Sequence, residues 1–390
     1  MNAHDGLSGR YRRIDALLEE RARDYPRRVE PTWSELLAAI DDVAERLREG
    51  LEPVGERLPG FYRRPLFVVG HRKTGTTLLQ ELLDGHPQLV VLPGESNHFL
   101  TFLPRFGALA PARLAVEAQR WWMLRLITPS GIPPFWALGR PWEQSADPYA
   151  AFTGRLLGLA SANADGDLLG MAAVALGRAA ARVAWVEKTP GQEHEVDRML
   201  AIYPRARFVH VVRDPRSVAA AIVRLDRATG EDTDLVGVGL AVRRSFEAAA
   251  RAESDLGGRY LVVRYEELVS DPEDVMRRVV GFAGIDWADS LLTPTVGGTA
   301  ATSNSAWSAR RVTGEIEGRR LDLWREELDD GAQALVAAAT RRAARRFGYD
   351  LPAPQPGAIV AVSARRAWVA LGSRRQPQAD RNTFSSATSP

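Results

Sequence analysis

Short apolar runs without alternation recur through the middle of the chain: Leu66-Phe67-Val68-Val69, Val183 to Val186, Phe208 to Val212 and Tyr260 to Val263. Runs of this length that are apolar at every position suit strands buried on both faces. Each is followed by polar, helix-compatible sequence, and strands alternating with helices predict an α/β fold with a parallel sheet flanked by helices. Ahead of them, Ile14, Leu17 and Leu18, then Leu36, Leu37, Ile40, Val43 and Leu47, recur at helical spacing, with Thr32 placed to cap the second run. Residues 1–60 are therefore expected to be an N-terminal helical segment, and residues 61–350 the α/β domain. Trp121, Trp122, Trp136 and Trp142 stand among Pro129, Pro133, Pro134 and Pro141. This stretch reads as a Pro-broken loop whose aromatic rings either pack onto helices or line a binding pocket. From Trp324 to Phe347 a closing helix is predicted, with Leu328, Leu335, Val336 and Ala339 on one face. Residues 351–390 are rich in Pro, Arg, Ser and Ala and read as a low-complexity tail, with a short helix near Ala358 to Leu371.

Composition narrows the chemistry. The chain has 390 residues with no cysteine, which excludes disulfide frameworks, thiol nucleophiles and Cys-ligated metals. Lys+Arg is 51 against Asp+Glu 49, a balance that gives no support to a nucleic-acid partner. The polar start MNAHDGLSGRYRR and the absence of any apolar run of about 18 residues predict a soluble, cytoplasmic protein with no transmembrane segment. Among the 51 basic positions only Lys73 and Lys188 are lysine. A compact ammonium on a flexible stem can follow a moving phosphate or sulfate oxygen, which a rigid planar guanidinium does less well.

Lys73 lies in Gly70-His71-Arg72-Lys73-Thr74-Gly75-Thr76-Thr77, which follows a predicted strand and opens the helical run Leu78, Leu79, Leu82, Leu83. Strand, Gly-bracketed turn and helix start together present N–H groups and a positive dipole end to an anion. In the nucleoside-triphosphatase pattern G-x-x-x-x-G-K-[ST] the lysine would stand where this chain has Thr76, so a triphosphatase is disfavoured. A second predicted strand ends at Arg213, where Asp214 and Pro215 give a strong helix-start signal. A third ends at Glu187-Lys188-Thr189-Pro190. If these strands are neighbours, Lys73, Lys188 and Arg213 converge on one polyanion, at the sheet edge where α/β folds bind ligands.

These segments resemble the P-loop sulfotransferases that use 3′-phosphoadenosine 5′-phosphosulfate (PAPS), and in particular the bacterial and tyrosylprotein-type branch. Arg72-Lys73-Thr74-Gly75-Thr76-Thr77-Leu78 is similar to the family's 5′-phosphosulfate loop, and Arg213-Asp214-Pro215-Arg216 to its 3′-phosphate segment. Tyr265-Glu266-Glu267-Leu268 with Asp271-Pro272 is similar to the segment whose Tyr lies near the adenine, and Gly318-Arg319 with Trp324-Arg325 is a weaker match. Leu83-Asp84-Gly85-His86-Pro87 followed by Gly94-Glu95 points to the tyrosylprotein-type branch. The resemblance implies that PAPS is a co-substrate held by Arg72, Lys73, Thr74, Gly75, Thr76, Thr77, Leu78, Arg213, Tyr265 and Arg319, with no metal.

It implies that Lys73 neutralises the leaving oxygen, that Lys188 assists, and that Glu95 is the general base. Glu187 and His194 are the alternative bases. The family's catalytic His position is Pro190 here, and its 3′-site Ser position is Ala221, which leaves Ser217 as a substitute. The acceptor implied is a small molecule, lipid or glycan. The alternatives are an ATP- and Mg-dependent small-molecule or nucleotide kinase, and an inert binding protein of the same fold.

Overall fold

The structure, a computed structural model, describes residues 57–127, 142–177, 181–301, 314–316 and 321–373, together with Ala38. The N-terminal helical expectation therefore lies almost wholly outside the described residues.

Strand β1 (Pro65–Val69) is followed by helix α1 (Thr76–Leu83), β2 (Leu89–Val91), and helices α2 (Pro111–Ile127), α3 (Trp142–Ala162) and α4 (Leu168–Leu176). Then come β3 (Ala184–Lys188), α5 (Val196–Ile202), β4 (Arg207–Val212), α6 (Pro215–Thr229) and α7 (Leu235–Leu256). The sheet ends with β5 (Tyr260–Arg264), followed by α8 (Tyr265–Ser270) and α9 (Pro272–Ala283). Helices α10 (Trp324–Glu327), α11 (Asp330–Ala344) and α12 (Pro356–Ser373) complete the described chain.

The five strands of this sheet are all parallel, in the order β2-β3-β1-β4-β5, and a separate two-stranded antiparallel pair joins Thr295–Val296 to Thr299–Ala300. The chain leaves β1 toward one edge and returns through β3 before crossing to β4, so the loops after β1, β3 and β4 meet at a switch point. Val68 of β1 lies beside Lys188 on one side and Val209 on the other.

Alternation sorts the strand side chains into two cores. Phe67, Trp185, Phe208 and Tyr260 face α2 to α4, whereas Leu66, Val68, Val186 and Val209 face Leu79 and Leu82 of α1 and Met276 of α9. The Phe67 ring sits 5.6 Å from both Trp185 and Phe208, centroid to centroid. The same period of two sends Glu187 and Lys188 to opposite faces of β3.

Three local expectations are corrected, and one strand, β2, has no counterpart in the sequence reading. Strand β2 has only three residues, too few for a periodic signal. Trp121 and Trp122 lie on α2, buried among Phe102 and Phe152, and are not part of a loop. Trp142 begins α3, and residues 128–141 with Trp136 lie outside the described residues. The closing helix is broken into α10 and α11 because Asp329 turns away to cap the second, its carboxylate accepting from Ala332 N at 2.7 Å. In the expected tail, α12 runs further than its apolar spacing suggested and packs through Val362 against Leu240 and Ala339.

Candidate active site

The loop after β1 has the backbone its sequence demands. Gly70, at φ 138°, passes so close to β4 that an added Cβ would meet the Val211 carbonyl oxygen at 2.5 Å. Gly75, at φ 103°, precedes α1, and an added Cβ would lie 2.2 Å from Cδ2 of Tyr265. Between them Lys73 takes the left-handed conformation at φ 69°, and Thr74 Oγ1 ties the turn by donating to the His71 carbonyl at 2.7 Å. A non-Gly residue held at positive φ stores strain, which in folded chains concentrates at ligand loops. The first N–H groups of α1 have no carbonyl a turn behind them, so they face outward as donors for an anion.

Basic side chains surround that loop. Lys188, at the end of β3, is 3% exposed, and its ammonium lies 2.9 Å from Glu95 Oε1. Arg213, at the end of β4, is buried; it donates to the Lys73 carbonyl at 3.1 Å and lies 4.1 Å over the Tyr265 ring. Burial holds the Lys73 ammonium below its ordinary range, Glu95 opposes that shift, and the charges of Arg72, Lys188 and Arg213 add to it. Four cations and one carboxylate are thus within electrostatic reach of each other around a helix N-terminus. Such a concentration of positive charge suits a ligand with several anionic groups.

Residues 65–289, more than half of the chain, match the model of the sulfotransferase family. The chain belongs to the sulfotransferase family. Among its relatives is the mycobacterial omega-hydroxy-beta-dihydromenaquinone-9 sulfotransferase Stf3 of Mycobacterium tuberculosis, 24% identical over 332 residues, which are 76% of this chain and 78% of that protein. A putative protein-tyrosine sulfotransferase of Caenorhabditis briggsae is 22% identical over 311 residues, 76% of this chain and 92% of the relative. The solved sulfotransferase domain of the Synechococcus PCC 7002 olefin synthase shares the fold, with a TM-score of 0.50 at 22% identity, over 77% of this chain and 99% of that domain.

The other residues singled out in the sequence are placed as follows. Thr74 and Thr76 are buried in the loop and first turn, Thr77 and Leu78 are partly exposed, and Arg72 is exposed beside them. Tyr265 lies under the loop, its ring filling the space that Gly75 leaves and backing Arg213. Ser217, in the first turn of α6, donates to the Leu321 carbonyl at 3.2 Å, and Ala221 is buried one turn further on. Asp214 caps α6, accepting from Arg216 N at 2.8 Å and pairing with the Arg216 guanidinium at 2.6 Å. Arg319 lies outside the described residues.

Of the three carboxylate or imidazole candidates, Glu95 alone touches the cation cluster through a described contact. Glu187 is 0% exposed and takes its hydrogen bonds from Ser96, Thr189 and Gln192. His194 sits at the surface, 3.9 Å from Glu193.

The polar residues that shape the turn before Glu95 carry no local sequence signature. Gln80 of α1 donates to the Leu92 and Gly94 carbonyls at 2.6 and 3.0 Å, and Trp121 Nε1 donates to the Ser96 carbonyl at 2.7 Å. The spread of these partners, from 80 to 121, explains why spacing in the chain does not reveal them.

Proposed function

We propose that the protein transfers a sulfuryl group from PAPS to a hydroxyl, or an amine, of a small-molecule or lipid acceptor. The observation that carries this reading is the meeting of Lys73, Lys188 and Arg213 around the loop and the N-terminus of α1. A nucleotide with anionic groups on both the 3′ and 5′ positions of its ribose needs two anion sites, and we assign two. The loop amides with Lys73, Thr76 and Thr77 form one, and the end of β4 with Arg213 and Ser217 forms the other. Gly70 and Gly75 let the loop pack directly against β4 and the Tyr265 ring, contacts that any Cβ would block.

When bound, PAPS supplies the activated sulfuryl group. The bond from sulfur to the bridging phosphate oxygen breaks as a bond to the acceptor oxygen forms, and the acceptor proton passes to a base. Lys73 faces the charge that grows on the departing oxygen, and Lys188 assists from the neighbouring strand end. Glu95, 2.9 Å from the Lys188 ammonium, is the carboxylate placed beside the cation cluster to accept that proton. The mycobacterial relative is named for a hydroxylated menaquinone and the nematode relative for protein tyrosine, both hydroxyl-bearing acceptors. That favours the hydroxyl over the amine.

Thermal shift with adenosine 3′,5′-bisphosphate against ATP plus Mg²⁺ tests the donor. Stabilisation by the bisphosphate alone is expected, through linkage to the folded state; stabilisation by ATP plus Mg²⁺ alone would overturn the reading. Mass spectrometry of lipid extracts incubated with PAPS then identifies the acceptor as a species heavier by one sulfuryl group.

A further inference from the structure

We propose that Glu187 is a positioning residue, a buried anionic clamp that sets the backbone of the turn carrying Glu95. The proposal rests on the reading of Glu95 as the base. Glu187 Oε1 accepts from Ser96 Oγ at 2.6 Å, from Ser96 N at 3.3 Å and from Thr189 Oγ1 at 2.6 Å, while Oε2 accepts from Gln192 Nε2 at 2.6 Å. These partners are neutral. Thr189 Oγ1 passes the connection on by accepting from Asn97 N at 3.0 Å, and Ser96 Oγ accepts from His98 N at 3.2 Å.

Three successive backbone N–H groups, of Ser96, Asn97 and His98, are therefore held directly or at one remove by this carboxylate. Asn97 sits at φ 49°, a conformation that a non-Gly residue keeps only where its surroundings determine it.

The energetics explain why a charge is buried here. An ionised carboxylate out of water is costly unless its oxygens are satisfied, and hydrogen bonds to an ion are stronger than those between neutral groups. An apolar side chain at 187 would fill the core more cheaply but would leave Ser96 and Thr189 without their acceptor. The clamp works through the backbone on the residue one position before Ser96. Glu95 itself extends the other way, to Lys188 on the opposite face of β3. Adjacent residues of one strand thus fix the two ends of the turn: Glu187 holds its backbone, and Lys188 holds its reactive carboxylate.

The test is a double-mutant cycle. Glu187→Ala and Glu187→Gln are made alone and in a Glu95→Gln background. PAPS is varied, and the sulfated product formed in a fixed lipid extract is measured by mass. Glu187→Ala is expected to lower apparent kcat about 10- to 100-fold, the cost of a displaced catalytic group. The KM for PAPS and calorimetric binding of adenosine 3′,5′-bisphosphate should stay near wild type. Glu187→Gln should lose less, because its amide oxygen still accepts from Ser96, and this near-isosteric variant keeps the test open if the Ala variant fails to fold. In the Glu95→Gln background neither substitution should cost anything further, since residues acting as one unit are non-additive. Equal losses in both backgrounds, or loss of bisphosphate binding in parallel with kcat, would overturn the proposal while leaving the base reading intact. Full turnover in Glu95→Gln alone would instead remove the base reading, and the clamp's catalytic role with it.

Discussion

Lys188 Nζ and Glu95 Oε1 lie 2.9 Å apart, joining the end of β3 to the turn after β2, and the two partners are unequally exposed at 3% and 40%. A carboxylate that water already reaches loses little when its partner goes, because water can solvate it in the partner's place. Lys188→Met keeps the apolar stem and removes the charge. We expect turnover to fall about 10²- to 10³-fold, as when one preorganised transition-state donor is removed. The urea midpoint should move by no more than the pair is worth. A large drop in stability with unchanged kcat would assign Lys188 to the scaffold.

Lys73→Ala removes the ammonium that lies in the loop itself. Its departure relieves crowding with Arg72, Lys188 and Arg213, so folding should not suffer, while transfer should be abolished with the fold intact. Circular dichroism and the urea midpoint check the fold, and product mass checks transfer. Retained turnover would remove Lys73 from the leaving-oxygen role.

Gly75→Ala meets two obstacles at once. The φ of 103° is strained for any L side chain, and the new Cβ would fall 2.2 Å from Cδ2 of Tyr265. Relief requires Tyr265 to move, and Tyr265 backs Arg213. The expected result is a loss of about 1–3 kcal/mol in stability, the cost of a residue forced into such a conformation. Bisphosphate affinity measured by calorimetry should fall with it, because loop and strand end are disturbed together.

How much of this was legible in the chain differs by element. Four of the five strands showed themselves as apolar runs because a parallel sheet covered on both faces tolerates no polar alternation. Gly70, Gly75, Asp214 and Pro215 were legible because each answers a local backbone requirement. The adjacency of Lys73, Lys188 and Arg213 could be read only conditionally, since it depended on β3 and β4 both flanking β1. The opposite fates of Glu187 and Lys188 follow from strand alternation, but which of the two faces the loop is settled by tertiary packing. Trp121 was misplaced because its proximity to several prolines in sequence outweighed the helical spacing from Pro111 onward. Its indole donates to Ser96, a partner 25 residues away that no local pattern indicates.

His210 supplies a pH prediction from the middle of β4. It is wholly buried, with Nδ1 2.7 Å from the Tyr260 hydroxyl and Nε2 3.2 Å from Ser245 Oγ, and burial pulls its pKa down to about 4 from 6.5. The folded chain therefore keeps this ring neutral where the unfolded chain protonates it. Stability from this group is present above about pH 6.5 and is lost as pH falls toward about 4, by about 3 kcal/mol in all. Urea midpoints measured from pH 7 downward should decline more steeply in the wild type than in a folded His210→Asn variant. Parallel curves would show that the ring is not held neutral.

Glu81 gives the opposite slope in a higher window. It lies on α1, two turns below the loop. Burial pushes its carboxyl up to about 8, Lys188 opposes the shift, and Asp84 adds to it. Here the folded chain retains a proton that the unfolded chain releases above about pH 4.5, so stability falls as pH rises from about 4.5 to about 8. Between about pH 4.5 and 6.5 this trend runs against that of His210, and only above 6.5 does Glu81 act without it. Urea midpoints at pH 6.5, 7.5 and 8.5 should therefore decline in the wild type. In Glu81→Gln, whose amide mimics the protonated carboxyl but cannot ionise, the decline should disappear. An identical decline in both proteins would show that Glu81 is already ionised in the fold, with Lys188 outweighing burial.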